Sequence, residues 1–196
     1  MLRSFLLTVV VMSATACGAS KEATSEASEA APVTVPPAVE IAALAPPQVV
    51  MVEDLDASGH RVFFSFSEGG VIDVMDENTE DWDVSFEGTD VRVGGRALVS
   101  GTPFMSLAAA PQQGFRKDTA EENAIPTGSD VSWYSYNFNT HVVNIIPNTI
   151  VIETANKRFA KMEILSFYKG GDDGQGAPNY FTFRYVFQPD GSRNFR

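Results

Sequence analysis

The chain has 196 residues, 44% of them hydrophobic, which suits one domain with a sizeable core plus appendages. Its 14 Lys and Arg against 25 Asp and Glu give a formal charge of -11, a far field that argues against nucleic acid as a partner and against adsorption of the globular part to an anionic membrane. With a single cysteine, no disulfide can form within the chain.

The N-terminus reads as an export signal. Arg3 is followed by an apolar run from Phe5 to Met12 and by the small residues Ala14-Thr15-Ala16, the layout of a secretory signal peptide. The run is too short to cross a bilayer. Because the only cysteine stands where cleavage would make it the first residue, residues 1–16 resemble a bacterial lipoprotein signal. That resemblance implies lipidation of Cys17 and a lipid anchor in the cell envelope, with the outer membrane as the expected location. Ala14 occupies a place where the pattern prefers Leu. Cleavage after the Ala-x-Ala triplet, leaving a soluble protein with a free thiol, is the other reading. Residues 17–47 are rich in Ala, Ser, Thr, Glu and Pro and contain no aromatic residue. Such a segment cannot bury enough surface to fold and reads as a disordered tether with a reach of roughly 30 to 90 Å.

Residues 48–196 read as one all-β domain. Val49 to Val52 is a short strand and Asp56 to Gly59 a turn. Arg61 to Ser67 puts Val62, Phe64 and Phe66 on one face, and Glu68-Gly69-Gly70 turns into a strand from Val71 to Met75. Trp82, Val84 and Phe86 alternate with Asp83 and Ser85. Glu87-Gly88-Thr89 then leads into Val91 and Val93, which predicts a hairpin. After a short strand at Ala97 to Val99, the stretch 101–129 has no sustained period and carries Pro103, Pro111 and Pro126. It is expected to be a long excursion with at most a brief helix, and loops of that length are usually functional or mobile. Trp133 to Phe138, Thr140 to Ile146 and Thr149 to Glu153 are strands by β-branched and aromatic content.

The last forty residues organise the rest. Arg158 to Tyr168 and Tyr180 to Gln188 form two long strands around the loop 170–176. Phe181, Phe183, Tyr185 and Phe187 share one face of the second strand, and at about 150 to 250 Å² per ring they can anchor a core. The first strand alternates less cleanly, because Leu165, Phe167 and Tyr168 make both faces apolar near the loop. Many short strands with no amphipathic helical period predict an antiparallel sandwich or an open barrel.

Several strings, taken in order, resemble the HmuY family of haem-binding lipoproteins. They are Phe63-Phe64-Ser65-Phe66-Ser67, Asp81-Trp82-Asp83-Val84-Ser85-Phe86, Asp90-Val91-Arg92, Gly94-Gly95-Arg96-Ala97, Trp133-Tyr134, Thr140-His141-Val142-Val143, Phe159-Ala160-Lys161-Met162 and Tyr180-Phe181-Thr182-Phe183. The likeness spans residues 49–188. It implies an HmuY-like β fold that captures haem, or a related tetrapyrrole, outside the cell and passes it to an outer-membrane uptake receptor. The expected haem-binding residues are His141, Met105, Tyr134 and Tyr136, with iron held through His141 or Met105. The family's axial side chains come from the excursion and from just beyond the Trp of the next strand. Here the excursion holds no histidine, only Met105, and Asn137 and Phe138 follow Tyr136.

Each candidate has a structural alternative. His141 is in phase with Val143 and Ile145, as a histidine packed on the inner or barrel-end face with a backbone partner would be. His60 follows a turn. Met105 would equally anchor its loop beside Phe104. Tyr134 and Tyr136 have the spacing of core or cross-strand rings. Arg116 and Lys117, beside Phe115, could meet haem carboxylates or simply be solvated. The acidic run from Asp76 to Asp81 does not make a calcium loop, since Asp81 stands where glycine is needed. Hydrolase, metalloprotease and phosphate-loop motifs are all missing, so an enzyme is not expected. A second reading keeps the scaffold without iron ligands, as a non-enzymatic module that recognises a protein or glycan through the 101–129 excursion.

Overall fold

A computed structural model describes residues 48–74, 81–171 and 174–196. The expected signal segment and tether, with Cys17, and also Met75 to Glu80 and the Asp172-Asp173 pair, lie outside the described residues. Eleven strands follow in chain order: β1 (Val50–Asp56), β2 (Val62–Ser65), β3 (Gly70–Ile72), β4 (Val84–Glu87), β5 (Asp90–Val93), β6 (Arg96–Ser100), β7 (Tyr134–Asn137), β8 (Val142–Ile145), β9 (Thr149–Glu153), β10 (Phe159–Tyr168) and β11 (Pro178–Gln188). They pair antiparallel into a five-stranded sheet ordered β1-β11-β10-β9-β6, a four-stranded sheet ordered β3-β2-β4-β5, and the separate hairpin β7-β8. The expected all-β architecture is present, and none of the sheets closes into a barrel.

The aromatic face of β11 forms the centre of the core. Phe181, Phe183 and Tyr185 are all at most 3% exposed, and they meet rings from the four-stranded sheet. Phe86 lies 4.6 Å from Phe181, Phe64 lies 5.3 Å from Phe183, and Phe66 lies 5.0 Å from Tyr185. Ala160, Met162 and Ile164 of β10 and Ile150 and Ile152 of β9 extend the same apolar layer. Two sheets facing each other through such rings make a sandwich.

Several predicted boundaries shift for local reasons. β1 continues past Val52 to Asp56 through a register shift between Val52 and Leu55. At that bulge Asp54 takes φ 51°, its N–H donates to Thr182 Oγ1, and its carboxylate accepts the N–H of Gly170. The acidic pair Glu53-Asp54 thus interrupts the alternation without ending the strand. β2 stops at Ser65 because Gly69 donates its N–H back to the Ser65 carbonyl. In β10 the two-sided apolar stretch coincides with register shifts after Ile164 and Ser166, which re-aim its side chains.

The 101–129 excursion contains no helix and packs against the domain. Its first half covers the outer face of the five-stranded sheet, where Phe104, Val151, Phe159, Val186 and Phe195 form a second buried cluster. Its second half spans the flank between β6 and β5. Arg116 exchanges two backbone hydrogen bonds with Ala97 of β6, and Asp118 accepts the N–H of Val93 in β5 at 2.9 Å. Ala124 and Ile125 then enter the main core. Two sheet edges that would otherwise lie open are satisfied in this way.

Candidate functional site

The β7-β8 hairpin carries three of the four expected site residues. Tyr134 and Tyr136 alternate along β7, and the turn after them is built by Asn137. The Asn137 side chain accepts the N–H of Asn139 at 2.9 Å, and its carbonyl accepts the N–H of His141 at 2.8 Å. His141 closes the turn with φ 57°, a conformation that costs a β-branched residue more than it costs histidine. The hairpin is seated on the core by Val143, whose N–H donates to Tyr168 Oη at 2.8 Å.

His141 therefore departs from the expected strand position. It is an exposed turn residue rather than one packed on an inner face, and its imidazole partner is a side chain, not the backbone. Nδ1 lies 2.8 Å from the phenol oxygen of half-buried Tyr136. Phe138 stands edge-on to Tyr136 with ring centroids 5.1 Å apart and is 76% exposed. Phe138 is not among the residues expected at the site. An aromatic residue directly after a turn-forming Asn was the available signal.

Tyr134 has a different environment. It is 6% exposed, packs on Trp133 at 4.7 Å, and its hydroxyl donates to Thr89 Oγ1 at 3.2 Å, so it belongs to the core. Met105 is 68% exposed, but it sits in the turn from Pro103 to Leu107, whose neighbour Phe104 is buried on the outer face of the five-stranded sheet. Met105 and His141 are carried by separate elements. His60 is exposed in the turn before β2. Arg116 and Lys117 are also exposed, and Arg116 shares a cleft of about 350 Å³ with Glu121, Glu122, Asn123 and Thr127. Two carboxylates in that lining disfavour a ligand's carboxylates.

The hairpin end touches the β10-β11 loop. A Cβ added at Gly174 would lie 2.7 Å from Val142 Cγ2, so these two segments are in contact with no slot between them at that point. On the outer side of the tip, Phe138 and His141 are exposed. Among the described residues, no three His, Cys, Asp or Glu side chains come together as a metal cluster.

A second concavity, of about 680 Å³, lies at the sandwich end where β9 turns into β10, lined by Asp83, Thr154, Asn156, Arg158 and Phe187 among others. Burial pushes the Asp83 carboxyl up from 3.8, and hydrogen bonds from Phe66 N–H, at 2.7 Å, and from Ser65 only partly oppose this. Between the unfolded value and the raised folded value the native state holds a proton that the unfolded chain has lost, so stability falls as pH rises through that window. Asp83→Asn keeps an acceptor for Phe66 and removes the buried charge. It is expected to raise the melting temperature at neutral pH, with the gain disappearing below pH 3.8; thermal melts across pH check this.

No family model and no curated protein matches the sequence. Solved structures do. An apo HmuY analog from Tannerella forsythia aligns over 73% of this chain and 96% of its own, at 12% identity and a TM-score of 0.54. Apo PinO from Porphyromonas gingivitis covers 73% and 97% at 14% identity and 0.52. A protein from Bacteroides vulgatus named HmuY-like and heme binding covers 71% and 91% at 16% identity and 0.51. These alignments span nearly the whole of each neighbour at low identity, with TM-scores of 0.51 to 0.54: the chain has the HmuY-like fold.

Proposed function

We propose that this is an exported, lipid-anchored haem-binding protein of the HmuY family, tethered through Cys17 to the cell envelope, and a binding protein rather than an enzyme. The observation that carries the reading is the imidazole-phenol pair of His141 and Tyr136 beside exposed Phe138, on an HmuY-like scaffold. The residues fit the group: imidazole and phenol are both known haem-iron donors, and an exposed ring next to them supplies an apolar face for a macrocycle. Met105, held on a separate turn, is a poorer partner for the same iron. When bound, haem would supply its iron and its flat apolar surface. The chain's part is to present one donor, orient it by the Tyr136–His141 hydrogen bond, and cover one face with Phe138. The lipid anchor and the tether of residues 17–47 would hold the domain off the outer membrane, where an uptake receptor would take the haem or related tetrapyrrole from it.

Ferric haem titrated into the purified protein is expected to give a saturable Soret change at one equivalent, and Met105→Ala is expected to leave the spectrum of the complex unchanged. A flat Soret region would remove haem from the proposal while leaving the fold. The contact between Val142 and Gly174 favours the second reading in that event, a module that recognises a protein or glycan through the 101–129 excursion, whose open cleft at Arg116 to Thr127 is polar.

A further inference from the structure

We propose that the concavity of about 680 Å³ where β9 turns into β10 is a second binding site, which takes a neutral pyranose sugar through Asp83, Arg158 and Phe187. The site is independent of the haem reading. It lies where Phe159 begins β10, whereas Tyr168, at the other end of that strand, seats the β7-β8 hairpin. Its volume falls within the about 300–1,000 Å³ usual for small-molecule sites. Two side chains of opposite charge line it without being paired. Among the described residues no cation pairs with the Asp83 carboxylate and no carboxylate pairs with the Arg158 guanidinium. Asp83 is 8% exposed, and its Oδ2 accepts the Phe66 N–H at 2.7 Å. A carboxylate offers about four lone-pair sites, so acceptors remain for a guest. Holding this carboxyl buried without a cation lowers stability, as happens where a site needs the group. Arg158 is exposed, but its backbone is fixed: the Thr154 N–H donates to the Arg158 carbonyl at 2.9 Å, and the Arg158 N–H donates to Thr154 Oγ1 at 3.1 Å. Phe187 is half-buried with Phe66 stacked against it, ring centroids 6.3 Å apart, and it also lines the cavity.

The lining decides the class of ligand. A carboxylate only accepts hydrogen bonds and a guanidinium only donates them, while the Ser67 hydroxyl and the Asn156 amide do both. Neighbouring hydroxyls on a sugar ring each give one hydrogen bond and receive another, so they satisfy both kinds of partner together. The ring's C–H face is apolar and packs on an aromatic side chain such as Phe187. Other guests fit less well. Asp83 and the chain's charge of -11 oppose a polyanion. A guanidinium beside a single carboxylate opposes a metal ion. A flat apolar macrocycle finds only Phe187 and Pro189 as apolar side chains among the described lining residues.

The test titrates the purified, nitrogen-labelled protein with the methyl glycosides of glucose, galactose and mannose and with maltotriose, read by amide chemical shifts. At least one of these sugars is expected to give saturable shifts in the millimolar range, centred on Ser67, Asp83, Thr154 and Asn156. Tighter binding of maltotriose than of methyl glucoside would mark the end of a glycan as the source, and equal binding a free sugar. Arg158→Ala removes an exposed side chain and is expected to weaken binding about tenfold with little change in melting temperature. Asp83→Asn is expected to weaken binding while the protein melts higher, a combination that loss of structure would not produce. No saturable shift with any of the four sugars overturns the proposal. Shifts centred on residues 116–127 instead of this cavity also overturn it, as does an Arg158→Ala protein with the parent's affinity.

Discussion

Phe181→Ala is expected to lower folding stability by about 3–5 kcal/mol, a large part of the 5–15 kcal/mol typical of a domain. Phe181 is fully buried and touches rings from three directions: Phe86 of the four-stranded sheet at 4.6 Å, Phe167 of β10 at 5.4 Å, and Trp133 at the base of the β7-β8 hairpin at 5.7 Å. Truncation loses the transfer free energy of the ring and leaves a cavity. The surrounding rings can close that cavity only partly, because they belong to different sheets and each is held by its own strand pairing. Urea unfolding gives the magnitude through a shift in midpoint at constant slope. A loss below about 1 kcal/mol would mean that the site collapses freely, which the packing described above does not allow. The same substitution at Phe187, which is only half-buried at the sandwich end, is expected to cost much less.

That contrast also marks what the sequence could disclose. The two-residue period of β11 identified its inward face and the all-β class, because alternation is a local property that a buried sheet face imposes on every second side chain. Phe181, Phe183 and Tyr185 were legible for that reason. The turns at Gly69 and Gly88 were legible too, since both residues sit at positive φ. Features that depend on distant partners were not. β1 crosses the bulge at Asp54 only because Thr182 and the Gly170 amide, far along the chain, satisfy its polar groups. The 101–129 excursion has no period because its support is long-range: backbone exchange with Ala97, the Asp118 cap on Val93, and Lys161 beneath Phe104. At the candidate site the residue types were readable and their geometry was not. His141 fits a strand pattern with Val143 and Ile145, yet the Asn137 turn extends four residues and takes His141 off the strand, where it meets Tyr136 instead. Tyr134 and Tyr136 look equivalent by spacing. Only the sandwich decides that one is core and the other lies at the rim.

Lys161→Ala is expected to have the other large effect, about 3 kcal/mol of stability, from a residue that composition alone would place on the surface. Lys161 is 4% exposed on the outer face of β10. Its ammonium donates to the carbonyls of Phe104 at 2.7 Å and Leu107 at 2.8 Å, and lies 4.6 Å from the centre of the Phe104 ring. The nearby Glu163 is paired with Arg184 across the β10-β11 ladder. Burial, followed by the charges of Arg184 and Arg196, pulls the Lys161 pKa below its ordinary 10.5. Removing the side chain strands two carbonyls, each costing on the order of 1–3 kcal/mol where water cannot replace the donor, and opens a gap beneath the turn that carries Met105. Lys161→Met separates the two contributions, because it restores the stem's volume without a donor; it is expected to recover less than half of the loss. Hydrogen exchange should quicken at Ser106 and Leu107, whose amides hold that turn to Pro103, while the β10-β11 amides stay protected. The pH dependence has a definite sign. Between the lowered folded pKa and 10.5 the unfolded chain binds the extra proton, so the parent gains stability over Lys161→Met as pH rises through that window. Equal stability of parent and Lys161→Met at neutral pH would show that the carbonyl bonds contribute nothing, and that the excursion is held on the sheet by Phe104 alone.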